Sequence, residues 1–116
     1  MEKNTDKIPI WLDCDPGHDD AMAIIMAACN PKIHLLGIST VFGNAKVEFC
    51  TNNALRVLSV CGLGDIDVVE GADGPICPYD ELEHSMRSEE IHGEDGLGTR
   101  GDIKVPNTTK KPLEKN

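Results

Sequence analysis

Aromatic and basic side chains are both scarce in this 116-residue chain. Phenylalanine, tyrosine and tryptophan make up only 3% of the residues, so the stacking platforms that bind single-stranded nucleic acids are lacking. The 11 lysines and arginines are outnumbered by 20 aspartates and glutamates, which gives a formal net charge of −9. This charge argues against a surface that binds nucleic acids or anionic membranes.

Long apolar runs and closely paired cysteines are also missing. No segment has the length of a transmembrane helix, and residues 1–7 are polar, unlike the start of a signal peptide. The five cysteines are an odd number and include no Cys-x-x-Cys pair. They predict reduced thiols, packed as small core residues, in a cytoplasmic protein. The aspartates beside Cys14 should raise its pKa.

The most informative stretch is acidic. Asp13, Asp15, Asp19 and Asp20 fall within eight residues around a Pro-Gly turn signal, and we call residues 13–20 the acidic turn. Apolar runs on both sides predict a buried strand before it and a buried helix after it. Four like charges on one turn repel each other, and a single carboxylate would be enough to cap the helix. The turn therefore indicates a site for a hard cation such as Ca²⁺ or Mg²⁺, with a solvated acidic turn as the alternative.

Apolar segments separated by turn signals predict a βαβαβ arrangement. The predicted elements are strands at Ile8–Asp13, His34–Val41 and Ile66–Val69, and helices at Asp19–Cys29 and Val47–Cys61. The first helix is apolar on nearly every side, so we expect it to be deeply covered. Right-handed crossovers give an α/β fold with an open, mainly parallel, Rossmann-like sheet. The loops after the three strands should lie along one edge, where such sheets bind ligands.

Composition divides the chain into three parts. Residues 1–7 are a polar lead, residues 8–101 are the folded part, and residues 102–116 are a Lys-, Thr- and Pro-rich tail that we expect to be disordered. Within the folded part, residues 73–101 are polar and contain no clear helix or strand. A stretch of this kind is typical of an active-site loop region.

Several segments resemble the inosine–uridine-preferring nucleoside hydrolase family. The acidic turn matches the family signature Asp-x-Asp-Pro-Gly-x-Asp-Asp, and the similarity continues at residues 37–44, 52–54 and 91–98. The resemblance implies an incomplete nucleoside hydrolase fold. It also implies hydrolysis of the N-glycosidic bond of nucleosides such as inosine and uridine, assisted by Ca²⁺. This activity would serve purine nucleoside catabolism and nucleoside salvage.

The resemblance assigns roles within the acidic turn. Asp15 would be a metal ligand and the general base that activates water. Asp20 would be a second metal ligand, and Asp19 would hydrogen-bond a ribose hydroxyl. Asp13 would support the cluster without binding the metal.

Two further residues gain catalytic and substrate-binding roles from the resemblance. Asn44 would lie beside the attacking water and the ribose, although a turn residue after a glycine is an equal alternative. His92 would face the nucleobase, whereas the residue alone would be read as a solvated loop histidine. The substrate would be a nucleoside, and the full-length protein would be a dimer or tetramer.

The chain is less than half as long as members of the family. Family enzymes complete the Ca²⁺ site with a mid-chain carbonyl and a distant C-terminal aspartate, and an adjacent histidine protonates the leaving base. We therefore expect low activity from these 116 residues alone. Two alternatives stay open: a non-catalytic nucleoside- or Ca²⁺-binding remnant, and a haloacid-dehalogenase-like phosphatase. In that phosphatase Asp13 would be the nucleophile and Asp15 the acid–base, but Gly17 stands where those enzymes usually have Thr or Val.

Overall fold

The fold is a three-stranded parallel sheet whose strands are connected by two crossover helices. The computed structural model describes residues 6–77, 91–98 and 111–114. Its elements are β1 (Ile8–Cys14), α1 (His18–Cys29), β2 (Ile33–Thr40), α2 (Val47–Val60) and β3 (Asp67–Glu70). The strands lie in the order β1-β2-β3. The predicted βαβαβ fold is confirmed, and every element boundary lies within one residue of its predicted position.

Local chemistry ends both helices where the sequence indicates. Asn30 follows the last residue of α1 with an extended backbone, and a proline comes after it. Gly62 follows the C-cap of α2 with a φ of 70°, and its N–H donates to the carbonyl of Ser59 at 3.1 Å. Glycine adopts this left-handed conformation without the steric cost that other residues have.

The hydrophobic core lies between the sheet and the two helices. Ile24 of α1, Ile38 of β2 and Leu58 of α2 are almost completely buried. Full burial of such side chains contributes about 1.5–3 kcal/mol each. Side chains alternate between the two faces along β1, and those that face the core are Ile10, Leu12 and Cys14. The residues between them, including Asp13, therefore point to the opposite face of the sheet.

The expectation that α1 is deeply covered is wrong for the residues that the structure describes. Only Ile24 and Ala27 of this helix are buried. Met22 is 58% exposed and Met26 is 69% exposed. A helix that is apolar all round needs partners on several sides. Within the described ranges, α1 packs mainly against β2 and α2, and Met22 and Met26 remain exposed.

Part of the predicted tail lies against the sheet. The backbone N–H of Leu113 donates to the carbonyl of Val68 in β3 at 2.8 Å. The predicted loop region at 73–101 is described only at residues 73–77 and 91–98, and neither of these segments adds a strand to the sheet. The rest of that region lies outside the described residues. No helix among the described residues is both long enough and apolar enough to cross a bilayer.

Candidate active site

The loops after the three strands lie side by side, as the topology predicts. The N–H of Val41 donates to the carbonyl of Cys14 at 3.2 Å, which joins the loops after β1 and β2. The N–H of Gly71 donates to the carbonyl of Thr40 at 2.7 Å, which joins the loops after β2 and β3. The acidic turn and Asn44 therefore lie at the same edge of the sheet.

Asp15 is held by the loop after β2. Its Oδ2 accepts the backbone N–H of Asn44 at 2.8 Å, and its carbonyl accepts the side-chain amide of Asn44 at 2.9 Å. Gly43 packs against the same carboxylate, because a Cβ at Gly43 would lie 2.1 Å from Oδ2. Asn44 is therefore a direct partner of the acidic turn and not only a turn residue.

Asp15 and Asp20 are close neighbours, since Asp15 acts directly on the titration of the Asp20 carboxyl. Burial raises the pKa of the Asp20 carboxyl to about 6, and the hydrogen bond and charge of Asp15 and the charge of Asp19 act in the same direction. Two carboxylates this close repel each other when both are ionised, and a shared proton relieves that repulsion. A cation between them would relieve it as well.

The donor set fits a hard cation in type but falls short in number. Asp15 and Asp20 supply the carboxylate oxygens that Ca²⁺ and Mg²⁺ prefer. Ca²⁺ takes about six to eight oxygen ligands. Among residues 6–77, 91–98 and 111–114, no three His, Cys, Asp or Glu side chains come together as a metal site. The pair could therefore hold such a cation only with water and further oxygen ligands.

The other two aspartates of the acidic turn have different surroundings. Asp13 Oδ1 accepts the hydroxyl of Ser39, whose oxygen accepts the indole N–H of Trp11 at 3.1 Å. Its contact is thus with β2, on the sheet face opposite the helices. Asp19 is exposed in the first turn of α1. The N-cap of α1 is Gly17, so neither carboxylate of the first turn occupies the capping position.

Residues 91–98, which we call the histidine loop, lie on the acidic turn. Nδ1 of His92 accepts the backbone N–H of His18 at 3.2 Å, and the ring centroids of the two histidines are 5.4 Å apart. Gly17 lies beneath the ring, since a Cβ there would come within 2.5 Å of Nδ1. Because Nδ1 accepts this bond, the neutral His92 ring carries its proton on Nε2. His18 had no role in the sequence-based prediction, and the structure shows that its amide orients His92.

Two α2 residues contribute to the site without having been predicted. Asn53 is 1% exposed, and its side-chain amide donates to the carbonyls of Pro16 at 3.1 Å and Asp95 at 2.6 Å. The guanidinium of Arg56 lies 4.0 Å from the carboxylate of Asp95. One feature of the sequence could have indicated them. Asn53 and Arg56 are polar residues at positions i and i+3, on the side of the helix that the apolar pattern assigns to the core.

The buried thiols are unsuited to nucleophilic chemistry. Burial raises the pKa of Cys14 to about 12, and the charges of the neighbouring aspartates act in the same direction. Burial likewise raises the pKa of Cys50 to about 11. Thiols with such pKa values stay protonated at neutral pH. The predicted increase for Cys14 is confirmed, with burial rather than the aspartates as its largest cause.

Known proteins are similar to this chain in sequence and in fold. The family described as inosine-uridine preferring nucleoside hydrolase matches residues 10–116. The chain belongs to this nucleoside hydrolase family. The uridine nucleosidase of Saccharomyces cerevisiae is 48% identical over 92 residues, which are 78% of this chain and 26% of that protein. The inosine-uridine preferring nucleoside hydrolase of Crithidia fasciculata is 43% identical over 90 residues, 78% of this chain and 27% of that protein.

Solved nucleoside hydrolase structures have the same fold. The purine-preferring ribonucleoside hydrolase from Gardnerella vaginalis matches with a TM-score of 0.81 at 30% identity, over 93% of this chain and 33% of that one. A plant nucleoside hydrolase matches with a TM-score of 0.77 at 32% identity, over 92% and 32% of the two chains. The predicted fold class, an incomplete nucleoside hydrolase fold, is confirmed. The chain spans about a third or less of the length of the relatives it matches.

Proposed function

We propose that this chain carries the ribose- and cation-facing part of a nucleoside hydrolase active site. The protein would cleave the N-glycosidic bond of ribonucleosides such as inosine and uridine, giving free base and ribose. The observation that carries the proposal is the Asp15–Asp20 pair at the carboxyl edge of a parallel sheet, in which Asp15 is held by Asn44. The names of the relatives, among them a uridine nucleosidase, support the substrate class.

Asp15 is the proposed general base. Hydrolysis of an N-glycosidic bond passes through an oxocarbenium-like transition state, and the attacking water must lose a proton as it reacts. The backbone N–H of Asn44 and the close approach of Gly43 fix the direction of the Asp15 carboxylate. A base fixed in this way needs little reorganisation when it accepts that proton.

Asp15 and Asp20 are the residues that would hold Ca²⁺. When bound, a hard cation lowers the pKa of its water and binds the ribose hydroxyls. Asp19 is exposed beside the pair and would accept a hydrogen bond from a ribose hydroxyl. Asp13, bonded to Ser39, would support the turn from the other face of the sheet.

Asn44 and His92 would complete the substrate side. The Asn44 carboxamide is held beside the Asp15 backbone and would contact the water and the ribose. His92 carries its proton on Nε2 and would donate it in a hydrogen bond toward the nucleobase. We further propose a cytoplasmic role in nucleoside salvage, and a dimer or tetramer for the family-length protein. Free cysteines support a reducing compartment.

The phosphatase alternative fits this geometry less well. It requires the Asp13 carboxylate as a nucleophile that works with Asp15. Asp13 instead accepts the hydroxyl of Ser39 on the sheet face opposite the helices, while Asp15 contacts Asp20. The family match supports a nucleoside as substrate rather than a phosphate ester.

Release of ribose tests the proposal. The 116-residue chain is incubated with inosine or uridine at saturating Ca²⁺, and in parallel with p-nitrophenyl phosphate. We expect slow release of ribose that requires Ca²⁺ and falls by about 10²–10⁴ in Asp15→Asn, because a positioned base typically contributes that much.

Other outcomes of this assay would contradict the proposal. Hydrolysis of the phosphate ester without release of ribose would favour the phosphatase. Ca²⁺-dependent binding of inosine without any turnover would favour the non-catalytic remnant. Equal rates for the wild-type chain and Asp15→Asn would remove Asp15 from the role of base.

A further inference from the structure

Asn53 connects two loops that lie far apart in the sequence. Its side-chain Nδ2 donates to the carbonyl of Pro16 in the acidic turn and to the carbonyl of Asp95 in the histidine loop, at 3.1 and 2.6 Å. The side chain is 1% exposed, and its bond to Pro16 is buried while its bond to Asp95 is part-buried. Burial of an amide costs free energy unless its hydrogens are hydrogen-bonded. Here one side-chain amide donates to a carbonyl of each loop.

We propose that Asn53 is a positioning residue for the nucleoside hydrolase reaction. Its carboxamide links the histidine loop to the acidic turn through hydrogen bonds, and this link aligns His92 with the Asp15 carboxylate. This inference rests on the proposed function. Asn53 lies beneath the two loops and acts through them.

The backbone of the histidine loop passes close to the side-chain amide of Asn53. Gly96 has a φ of 84°, and a Cβ on it would lie 3.1 Å from both Asn53 Nδ2 and the Pro16 carbonyl. The carboxylate of Asp95 accepts the N–H of Leu97 at 3.0 Å and lies 4.0 Å from the guanidinium of Arg56. The Asp95 carbonyl is thus presented to Asn53 by a turn that is itself held by α2.

The helix that carries Asn53 is fixed to the sheet edge. Thr51, two residues earlier in α2, is hydrogen-bonded to Thr40 at the end of β2, with 2.7 Å between the two hydroxyl oxygens. Thr51 also donates to the carbonyl of Val47 at 2.8 Å within the helix. The Asn53 amide therefore has a fixed position relative to the loops after β1 and β2.

His92 depends on this attachment for its alignment. Its described polar contact with the acidic turn is the N–H of His18, which reaches Nδ1 at 3.2 Å. Such a single, rather long bond fixes a ring only if the loop backbone is already in place. Displacement of a reacting or binding group by about 1 Å can lower a rate by about 10²-fold.

Asn53→Leu is the informative variant, because it has a similar volume but no hydrogen-bond donor. Asn53→Asp keeps the shape of the side chain but removes the amide hydrogens. It is used as the test variant if Asn53→Leu does not fold. Asn52→Leu is the matched control, since Asn52 is the exposed neighbour on the same helix. Near-identical far-UV circular dichroism establishes that the variants are folded.

Two readouts are compared. The first is the ¹⁵N spectrum of the His92 ring together with the His18 amide signal, which reports the Nδ1 bond without any need for activity. The second is kcat for ribose release and the affinity for Ca²⁺. We expect Asn53→Leu to shift the His18 amide and to lower kcat by about 10- to 100-fold. Ca²⁺ affinity should stay within about twofold, because the described bonds of Asn53 go to backbone carbonyls and not to the cation ligands.

Unchanged His92 and His18 signals in both Asn53 variants would overturn the inference. A kcat that falls only in proportion to the folded fraction would also overturn it, since that result indicates a purely structural role. If the wild-type chain releases no ribose, the proposed function fails, and the histidine signals still decide whether Asn53 positions the loop.

Discussion

The Asp20→Ala variant should lose Ca²⁺ binding completely. Asp15 and Asp20 are the carboxylates that meet at the edge of the sheet, and the raised pKa of Asp20 reflects its burial and the neighbouring charge of Asp15. Removal of one of the two proposed carboxylate ligands leaves a single monoanionic side chain, which is too little to compete with the hydration of Ca²⁺. Titration calorimetry measures the effect. The wild-type chain should itself bind weakly, because Ca²⁺ affinity follows the number of ligands and the rigidity of the site.

Asp19→Ala is the matched control for this variant. It removes the same charge from the same helical turn, but Asp19 is exposed. An exposed charge pair contributes less than about 1 kcal/mol, so the affinity should change by no more than about fivefold. Equal Ca²⁺ affinity in Asp20→Ala and the wild-type chain would remove Asp20 from the set of ligands.

Gly43→Ala should disable the site without a change in any carboxylate. The new methyl group would lie 2.1 Å from Asp15 Oδ2 and 2.7 Å from its Cγ, so the carboxylate must move. That movement breaks the bond between Oδ2 and the N–H of Asn44. We expect Ca²⁺ affinity to fall at least about tenfold and ribose release to fall by about 10²-fold or more, since the proposed mechanism requires Asp15 in its present position for both.

Gly74→Ala provides the control for this substitution. A Cβ on Gly74 meets no atom within 4 Å, so the same chemical change should leave Ca²⁺ affinity and ribose release unaltered. The amide signal of Asn44 should shift in Gly43→Ala and remain in place in Gly74→Ala. An unperturbed Asn44 amide in Gly43→Ala would show that Asp15 is not held as the structure indicates.

Local chemistry explains why so much of the fold could be predicted. Asn30-Pro31 ends α1, Gly62 ends α2, and the apolar runs between such signals set the elements to within one residue. The meeting of the acidic turn with Asn44 could also be predicted, because parallel strands place the loops that follow them at one edge. These inferences need no knowledge of which side chains touch.

Long-range contacts explain what could not be predicted. The attachment of Asp13 to Ser39 depends on the register between β1 and β2, which contains an irregularity between Ile10 and Trp11. The two bonds of Asn53 depend on the path of the histidine loop over α2. Neither feature follows from periodicity or from turn residues.

The exposed side of α1 is a third feature that could not be predicted from the sequence. The sequence shows that the helix is apolar all round but not which part of the chain lies against each side. Met22 and Met26 are exposed among the described residues, while Ile24 is fully buried. Hydrophobicity alone therefore identified the helix correctly and its degree of burial incorrectly.

We propose that the loops after β1 and β2 and the histidine loop form one surface that faces the ribose and the cation. Titration of the ¹⁵N-labelled 116-residue chain with inosine, with and without Ca²⁺, tests it most directly. We predict Ca²⁺-dependent shifts of the backbone amides of Asn44, His18 and His92, and their loss in Asp15→Asn. Shifts confined to the opposite end of the sheet, near Gly62, or shifts that are the same without Ca²⁺, would show that these loops do not form the ribose- and cation-binding surface.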